Sequence, residues 1–193
     1  MAEENKNIRC FVAIDLPREA INQIEEIQKK IKKQNLFTGK FTESENLHLT
    51  LKFLGEIEKE KIEEVKKKLK EIESPVFEAN LGEAGIFSKE FIKILWVKLN
   101  GKGIFELQKK IDEDLKELFI PEKRFMSHIT IARVKNVKDR KALIDYIKNI
   151  GVKKIKFQVK NFFLKKSTLM SEGPVYEDLL EIELKSDEED KEK

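Results

Sequence analysis

Two rhythms of apolar residues alternate along this chain. Ile8–Leu16 is a run of aliphatics that reads as a strand, and Pro17 follows where a helix can begin. Ile21, Ile24, Ile27 and Ile31 then recur at helical spacing up to Gln34. Gly39 and the polar stretch 42–46 read as a loop. Residues 47–54 alternate, with His48, Thr50 and Lys52 on one face and Leu49, Leu51 and Phe53 on the other, and Gly55 is expected to end the strand. A helix over 59–72 carries Ile62, Val65, Leu69 and Ile72 on one stripe, and Ser74-Pro75 stops it. Residues 76–87 read as a long strand bent at Gly82 or Gly85.

The same order then returns. Residues 92–99 form a strand, and Gly101–Gly103 leads into a helix marked by Ile104, Leu107, Ile111, Leu115 and Leu118, which Pro121 breaks. Residues 127–134 form a second alternating strand, 138–150 a helix closed by Gly151, and 155–164 another strand. The β-α-β-α-β order thus occurs twice, about 8–87 and 92–165, an internal repeat of about eighty residues. A closing strand over 175–184 follows the turn Glu172-Gly173-Pro174. The expectation is one domain over 1–185, with 186–193 a disordered charged tail. Two pseudo-symmetric lobes would bring the two alternating strands to a shared cleft, where ligands commonly bind.

Composition narrows the function classes. Charged residues make up 39% of the chain, and Lys supplies 34 of the 39 basic residues. This Lys/Glu excess resembles the hyperthermophile signature. Opposite charges nearly cancel to +3, so no global basic field for nucleic acid is indicated. Local basic stretches at 29–33 and 153–156 read as solvated faces. The single cysteine, Cys10, excludes an intramolecular disulfide and is expected to be a buried apolar residue. With no signal peptide and no membrane-length apolar run, the reading is a cytoplasmic protein that makes no membrane contact and acts as a monomer.

Candidate chemistry is concentrated in one repeated frame. The chain has only two histidines, in His48-Leu49-Thr50-Leu51 and His128-Ile129-Thr130-Ile131. Thr is scarce, at 38, 42, 50, 130 and 168 only, which makes the double coincidence informative. In a strand, residues i and i+2 share a face, so each motif sets an imidazole beside a hydroxyl and sends two aliphatics into a core. Cleavage of a phosphodiester by water needs a base on the nucleophile and an acid on the leaving oxygen. Imidazole titrates near neutrality, so two copies across a phosphate can take both roles without metal. Each Thr hydroxyl can donate to a non-bridging oxygen. The residues alone leave open which histidine gives the proton.

Other readings are weaker. Two histidines supply two ligands, while zinc wants three or four, so no metal and no cofactor are expected. No P-loop or Rossmann glycine pattern occurs. Arg133 lies five positions after His128, formally on the opposite face, unless strand twist returns it; phosphate pairing and a surface salt bridge stay equally open. Trp96 reads as core. Phe162 and Phe163 are adjacent, so one is expected inside and one outside, and an exposed Phe near the cleft could stack a base.

These motifs resemble the 2H phosphoesterase superfamily. Within it the chain is similar to the 2′-5′ RNA ligase / RNA 2′,3′-cyclic phosphodiesterase family. Residues 9–17 resemble that family's opening strand, 47–55 its first-motif segment, 127–133 its second, and 164–169 with Tyr176 its closing segment. The resemblance implies a bilobal α+β fold, each lobe an antiparallel sheet with helices outside and the active site in the cleft. It implies hydrolysis of RNA 2′,3′-cyclic phosphate ends to 2′-phosphate, tRNA fragments being candidate RNAs, with ATP-independent 2′-5′ ligation as the reverse. It casts His48 as proton donor, His128 as proton acceptor, and Thr50, Thr130 and Arg133 as phosphate-binding. The alternatives are a non-catalytic RNA-end binding module and an enzyme for small cyclic nucleotides.

Overall fold

The computed structural model describes residues 7–171 and 173–186; most of the expected tail, residues 187–193, lies outside the described residues. The strands are β1 (Asn7–Asp15), β2 (Phe37–Phe41), β3 (His48–Glu58), β4 (Phe77–Ile86), β5 (Ile94–Asn100), β6 (His128–Val137), β7 (Lys156–Val159), β8 (Asn161–Met170) and β9 (Gly173–Glu183). The helices are α1 (Arg18–Gln34), α2 (Lys59–Lys70), α3 (Lys102–Asp114) and α4 (Arg140–Asn149), with a short 3₁₀ turn over Ser44–Asn46. The fold is α+β, as expected.

The strands run in the order β7-β4-β5-β6-β3-β1-β8-β9, with β2 also pairing β6. Exchanging β1 with β5, β3 with β6 and β4 with β8 reverses the central six strands onto themselves. Each half of the sheet therefore borrows its outer strand from the other half of the chain. Expected as one strand, residues 155–164 are split for this reason. β7 pairs β4 at one end of the sheet, and after Lys160 the chain crosses to pair β1 as β8. The aliphatic face, with Leu49, Leu51, Ile129 and Ile131, packs under helix residues such as Ile24, Val65, Ile111 and Leu143 in one core. No described helix is long and apolar enough to cross a membrane.

Local chemistry sets the helix ends. Asn35 closes α1 in the left-handed conformation at φ 53°, which Asn tolerates. Asp139 caps α4, its carboxylate accepting from Ala142 N at 3.0 Å. α3 ends at Asp114, and Leu115 and Leu118 continue in turns rather than in the helix.

Several expectations are corrected. The loop expected around Gly39 is the strand β2. It is too short and polar to show alternation, and it exists because the free edge of β6 accepts it. A Cβ at Gly39 would sit 2.2 Å from the Arg133 carbonyl oxygen, so this close approach requires glycine. Gly55, at φ +76°, does not end β3, which continues to Glu58 paired with β1. Gly173 and Pro174 belong to β9, paired with Met170 and Leu169, rather than to the turn. Phe162 and Phe163 are both buried: Phe162 lies in the core, and Phe163 is roofed by Lys165, whose Nζ is 4.8 Å from the ring centroid. Cys10 and Trp96 are buried as expected.

Candidate active site

β3 and β6 touch at one cross-strand pair, Leu49 with Ile129. That register sets position 48 opposite 130 and position 50 opposite 128, so the motifs interlock diagonally. With Leu49 and Ile129 buried in the core, all four polar motif side chains fall on the other face. There His48, Thr50, His128 and Thr130 line one cavity of about 330 Å³. The strands then part, and β2 takes the edge of β6 that β3 leaves. Lys40, Thr42 and Glu43 thus reach the cavity from β2 and the loop after it.

The imidazoles are held in the same way. His48 Nδ1 donates to the Asn46 carbonyl at 2.8 Å, and His128 Nδ1 donates to the Met126 carbonyl at 2.8 Å. A carbonyl only accepts, so Nδ1 carries the hydrogen and Nε2 is left for chemistry. Thr50 Oγ1 lies 3.0 Å from His48 Nε2 and donates to it when the ring is neutral. Asn46 is itself anchored, its Nδ2 donating to the Pro174 carbonyl at 2.9 Å. Ser127 ties the start of β6 down by donating to the Leu99 carbonyl at 2.5 Å.

Aromatic rings enclose both histidines. Phe11 and Tyr176 lie 4.9 and 5.2 Å from the His48 ring, centroid to centroid, and Phe87 meets His128 edge-on at 4.8 Å. Burial lowers the proton affinity of His48 from 6.5 to about 4, against opposition from the Asn46 carbonyl and Asp15. Burial also lowers His128, opposed by the Met126 carbonyl. Both rings are therefore neutral at neutral pH.

Arg133 reaches the cavity because of a bulge. Ala132 pairs with Leu95 and Thr130 with Trp96, leaving Ile131 as an extra residue. Ile131 and Ala132 are both buried, the alternation resets, and Arg133 turns to the side of His128 and Thr130. β3 has the same device at Leu51, with Lys52 paired to Val12 and Thr50 to Ala13. The expected faces of Lys52 and Phe53 are thereby reversed. Lys52 is buried against Asp112, and Phe53, 52% exposed, lines the cavity with Arg9 stacked 4.7 Å from its centroid.

All five candidate residues thus meet in one place. Sequence reasoning gave no role to Phe11, Arg9, Lys40, Asn46 or Phe53. The register of β1 brings in Arg9 and Phe11, the pairing of β2 brings in Lys40, the 3₁₀ turn places Asn46, and the bulge in β3 turns Phe53 to the cavity, although Arg9 and Phe11 lie in the opening strand that carries the resemblance. The cavity offers both imidazoles, the hydroxyls of Thr50 and Thr130 with those of Thr42, Ser167 and Tyr176 beside them, and the cations Arg9, Lys40 and Arg133, with Lys40 ion-paired to Glu43 at 2.7 Å. This is a set suited to an anion flanked by an acid and a base. Among the described residues no three His, Cys, Asp or Glu side chains gather where they could hold a metal ion.

The LigT-like phosphoesterase family model matches the chain twice, over residues 14–96 and 97–176. An RNA 2′,3′-cyclic phosphodiesterase of Methanocaldococcus jannaschii is 36% identical, covering 88% of this chain and 97% of its own. The Methanothermobacter thermautotrophicus protein of the same name is 31% identical, over 89% and 96%. The crystal structure of TT0787 of Thermus thermophilus superposes with a TM-score of 0.73 at 28% identity, covering 93% of this chain and 100% of that one. Escherichia coli LigT complexed with ATP superposes with a TM-score of 0.71 at 25% identity, over 92% and 98%. By sequence and by fold, the chain belongs to the LigT-like phosphoesterase family.

Proposed function

We propose that this chain hydrolyses 2′,3′-cyclic phosphate ends of RNA to 2′-phosphates by acid–base catalysis between His48 and His128. The observation that carries the reading is the diagonal of two imidazoles and two hydroxyls around one cavity, each ring directing Nε2 inward. The names of the relatives supply the substrate class. ATP bound by Escherichia coli LigT is in keeping with a cavity that accepts phosphorylated nucleotides.

In this mechanism His128 Nε2 takes a proton from water as its oxygen attacks phosphorus. The bond from phosphorus to O3′ breaks, and His48, protonated at Nε2, gives its proton to O3′. The product carries a 2′-phosphate and a 3′-hydroxyl. Thr50 and Thr130 donate to the non-bridging oxygens, and Arg133 offsets their charge. Burial lowers the proton affinity of His48, and a phosphodiester anion bound beside it offsets that loss. An imidazolium of low intrinsic affinity then transfers its proton readily. With a 5′-hydroxyl in place of the attacking water, the same proton transfers form a bond from O5′ to phosphorus as the bond to O3′ breaks, which gives a 2′-5′ linkage without ATP. The RNA ends acted on include those of cleaved tRNA, and the enzyme works as a monomer in the cytoplasm.

The test is end-group analysis of a 2′,3′-cyclic-phosphate oligonucleotide after incubation with the protein in chelator. A 2′-phosphate product supports the proposal. A 3′-phosphate product, or unchanged substrate, overturns it.

A further inference from the structure

The two halves of the site differ in what lies across the strand from each histidine. His48 pairs with Asp15 of β1, and His128 pairs with Lys98 of β5. These positions correspond when the halves are exchanged, yet they carry opposite charges. Lys98 is engaged by Glu83 at 3.2 Å. Asp15 is held by Lys165, which donates to Asp15 Oδ2 at 2.8 Å and to Asp178 Oδ1 at 2.6 Å. Lys165 is buried, so one ammonium is shared by two carboxylates, and the cluster keeps one net negative charge beside His48.

We propose that Asp15, clamped by Lys165 and Asp178 across the strand from His48, is a positioning residue that favours the protonated ring of His48 and so supports this histidine in the proton-donor role. The catalytic consequence rests on the function proposed above; the electrostatic relation between Asp15 and His48 does not.

Burial works against Asp15, taking His48 down to about 4, farther than it lowers His128, so the carboxylate offsets part of that loss. Burial lowers the proton affinity of His48 most. The Asn46 carbonyl and Asp15 raise it, and Lys165 and His128 lower it by less. Tyr176 of β9 presents its ring edge-on, Thr50 of β3 a hydroxyl, and Arg9, Lys40 and Arg133 complete the charged cavity wall with Glu43. His128 has no carboxylate counterpart: burial lowers it, and the Met126 carbonyl opposes. Lys165 is itself raised. Burial pulls it down, and its hydrogen bonds and charge attraction to Asp15 and Asp178 outweigh that, so the Lys165 ammonium stays charged.

With only two histidines in the chain, both imidazole Hε1 resonances can be followed by NMR in the full-length protein and assigned with His128→Gln. Removing the clamp in Lys165→Met frees Asp15 and is expected to raise the His48 titration by about one pH unit, with His128 unmoved. Adding Asp15→Asn to that variant is expected to cancel the rise, and Asp15→Glu to retain it. Asp15→Asn alone, should the Lys165 variant not fold, is expected to lower the His48 titration. It is also expected to slow cyclic-phosphate cleavage at neutral pH about tenfold, moving only the limb of the pH–rate profile that His48 governs. Equal shifts at both histidines, no shift at His48, or a rise that survives Asp15→Asn would overturn the proposal. Absence of RNA cleavage by the wild-type protein would sink the proposed function, yet the titrations would still decide the role of Asp15.

Discussion

Leu49 of β3 lies directly opposite Ile129 of β6, and this pair alone joins the motif strands. Both side chains enter the core, so the polar residues on either side of each must face the cavity. The contact fixes the diagonal geometry: each histidine stands opposite the other motif's threonine.

That geometry predicts the cost of losing either imidazole. His48→Ala and His128→Ala should each reduce kcat for cyclic-phosphate cleavage about 10²–10⁴-fold. The double variant should lose less than the product of the two effects, because the pair acts as a unit. Single-turnover cleavage of a labelled oligonucleotide measures all three.

The two hydroxyls should be separable. Thr50→Val and Thr130→Val should each lower kcat by about 10²–10³-fold if both hydrogen-bond the phosphate in the transition state. Only Thr50 also touches His48 Nε2, at 3.0 Å. Its hydroxyl donates to the neutral ring, so Thr50→Val should raise the His48 titration while Thr130→Val leaves it in place. NMR titration of both variants distinguishes them.

Stability should fall in acid through the histidines. Burial lowers His48 to about 4 and lowers His128 from the ordinary 6.5. The unfolded chain then binds protons more readily than the folded one. Stabilisation from keeping these rings neutral is complete above the unfolded value and is lost as pH falls from about 6.5 towards 4. Tm should drop across that window in the wild type and drop less in His48→Gln, as read by calorimetry.

Beneath the motif strand, Lys52 is ion-paired to Asp112 and donates to the Ile120 carbonyl at 3.0 Å, while Asp112 also accepts from Gln108 at 2.6 Å. Asp112→Ala strands a buried ammonium and should cost about 3–5 kcal/mol in urea unfolding. The double replacement Lys52→Met with Asp112→Leu should recover much of that loss, because neither charge then remains unpaired.

Gly39 tests how β2 supports Arg133. A Cβ there would press to 2.2 Å on the Arg133 carbonyl oxygen. Gly39→Ala should push β2 from β6 and destabilise the fold by about 1–3 kcal/mol. It should also raise KM more than it lowers kcat, since Arg133 and Lys40 shift while the histidines stay. Steady-state kinetics with the oligonucleotide check the split.

Elements that follow from local periodicity are legible in the amino-acid order. Ile24 and Ile27 at helical spacing and Leu49 and Leu51 at strand spacing mark the helices and the motif strands, and the paired His-x-Thr frame carries the resemblance that implies the α+β class. Hydrophobic patterning records which face is buried, and that holds wherever an element keeps its regular period. Features that arise from pairing between distant strands emerge in the folded chain alone. Extra residues at Leu51 and Ile131 reset the alternation, turning Phe53 and Arg133 towards the cavity and Lys52 away from it. β2 formed because β6 had a free edge, and Asp15 came to lie beside His48 through the register of β1. A bulge, an edge and a register are properties of two strands together, so neither strand's sequence carries them alone.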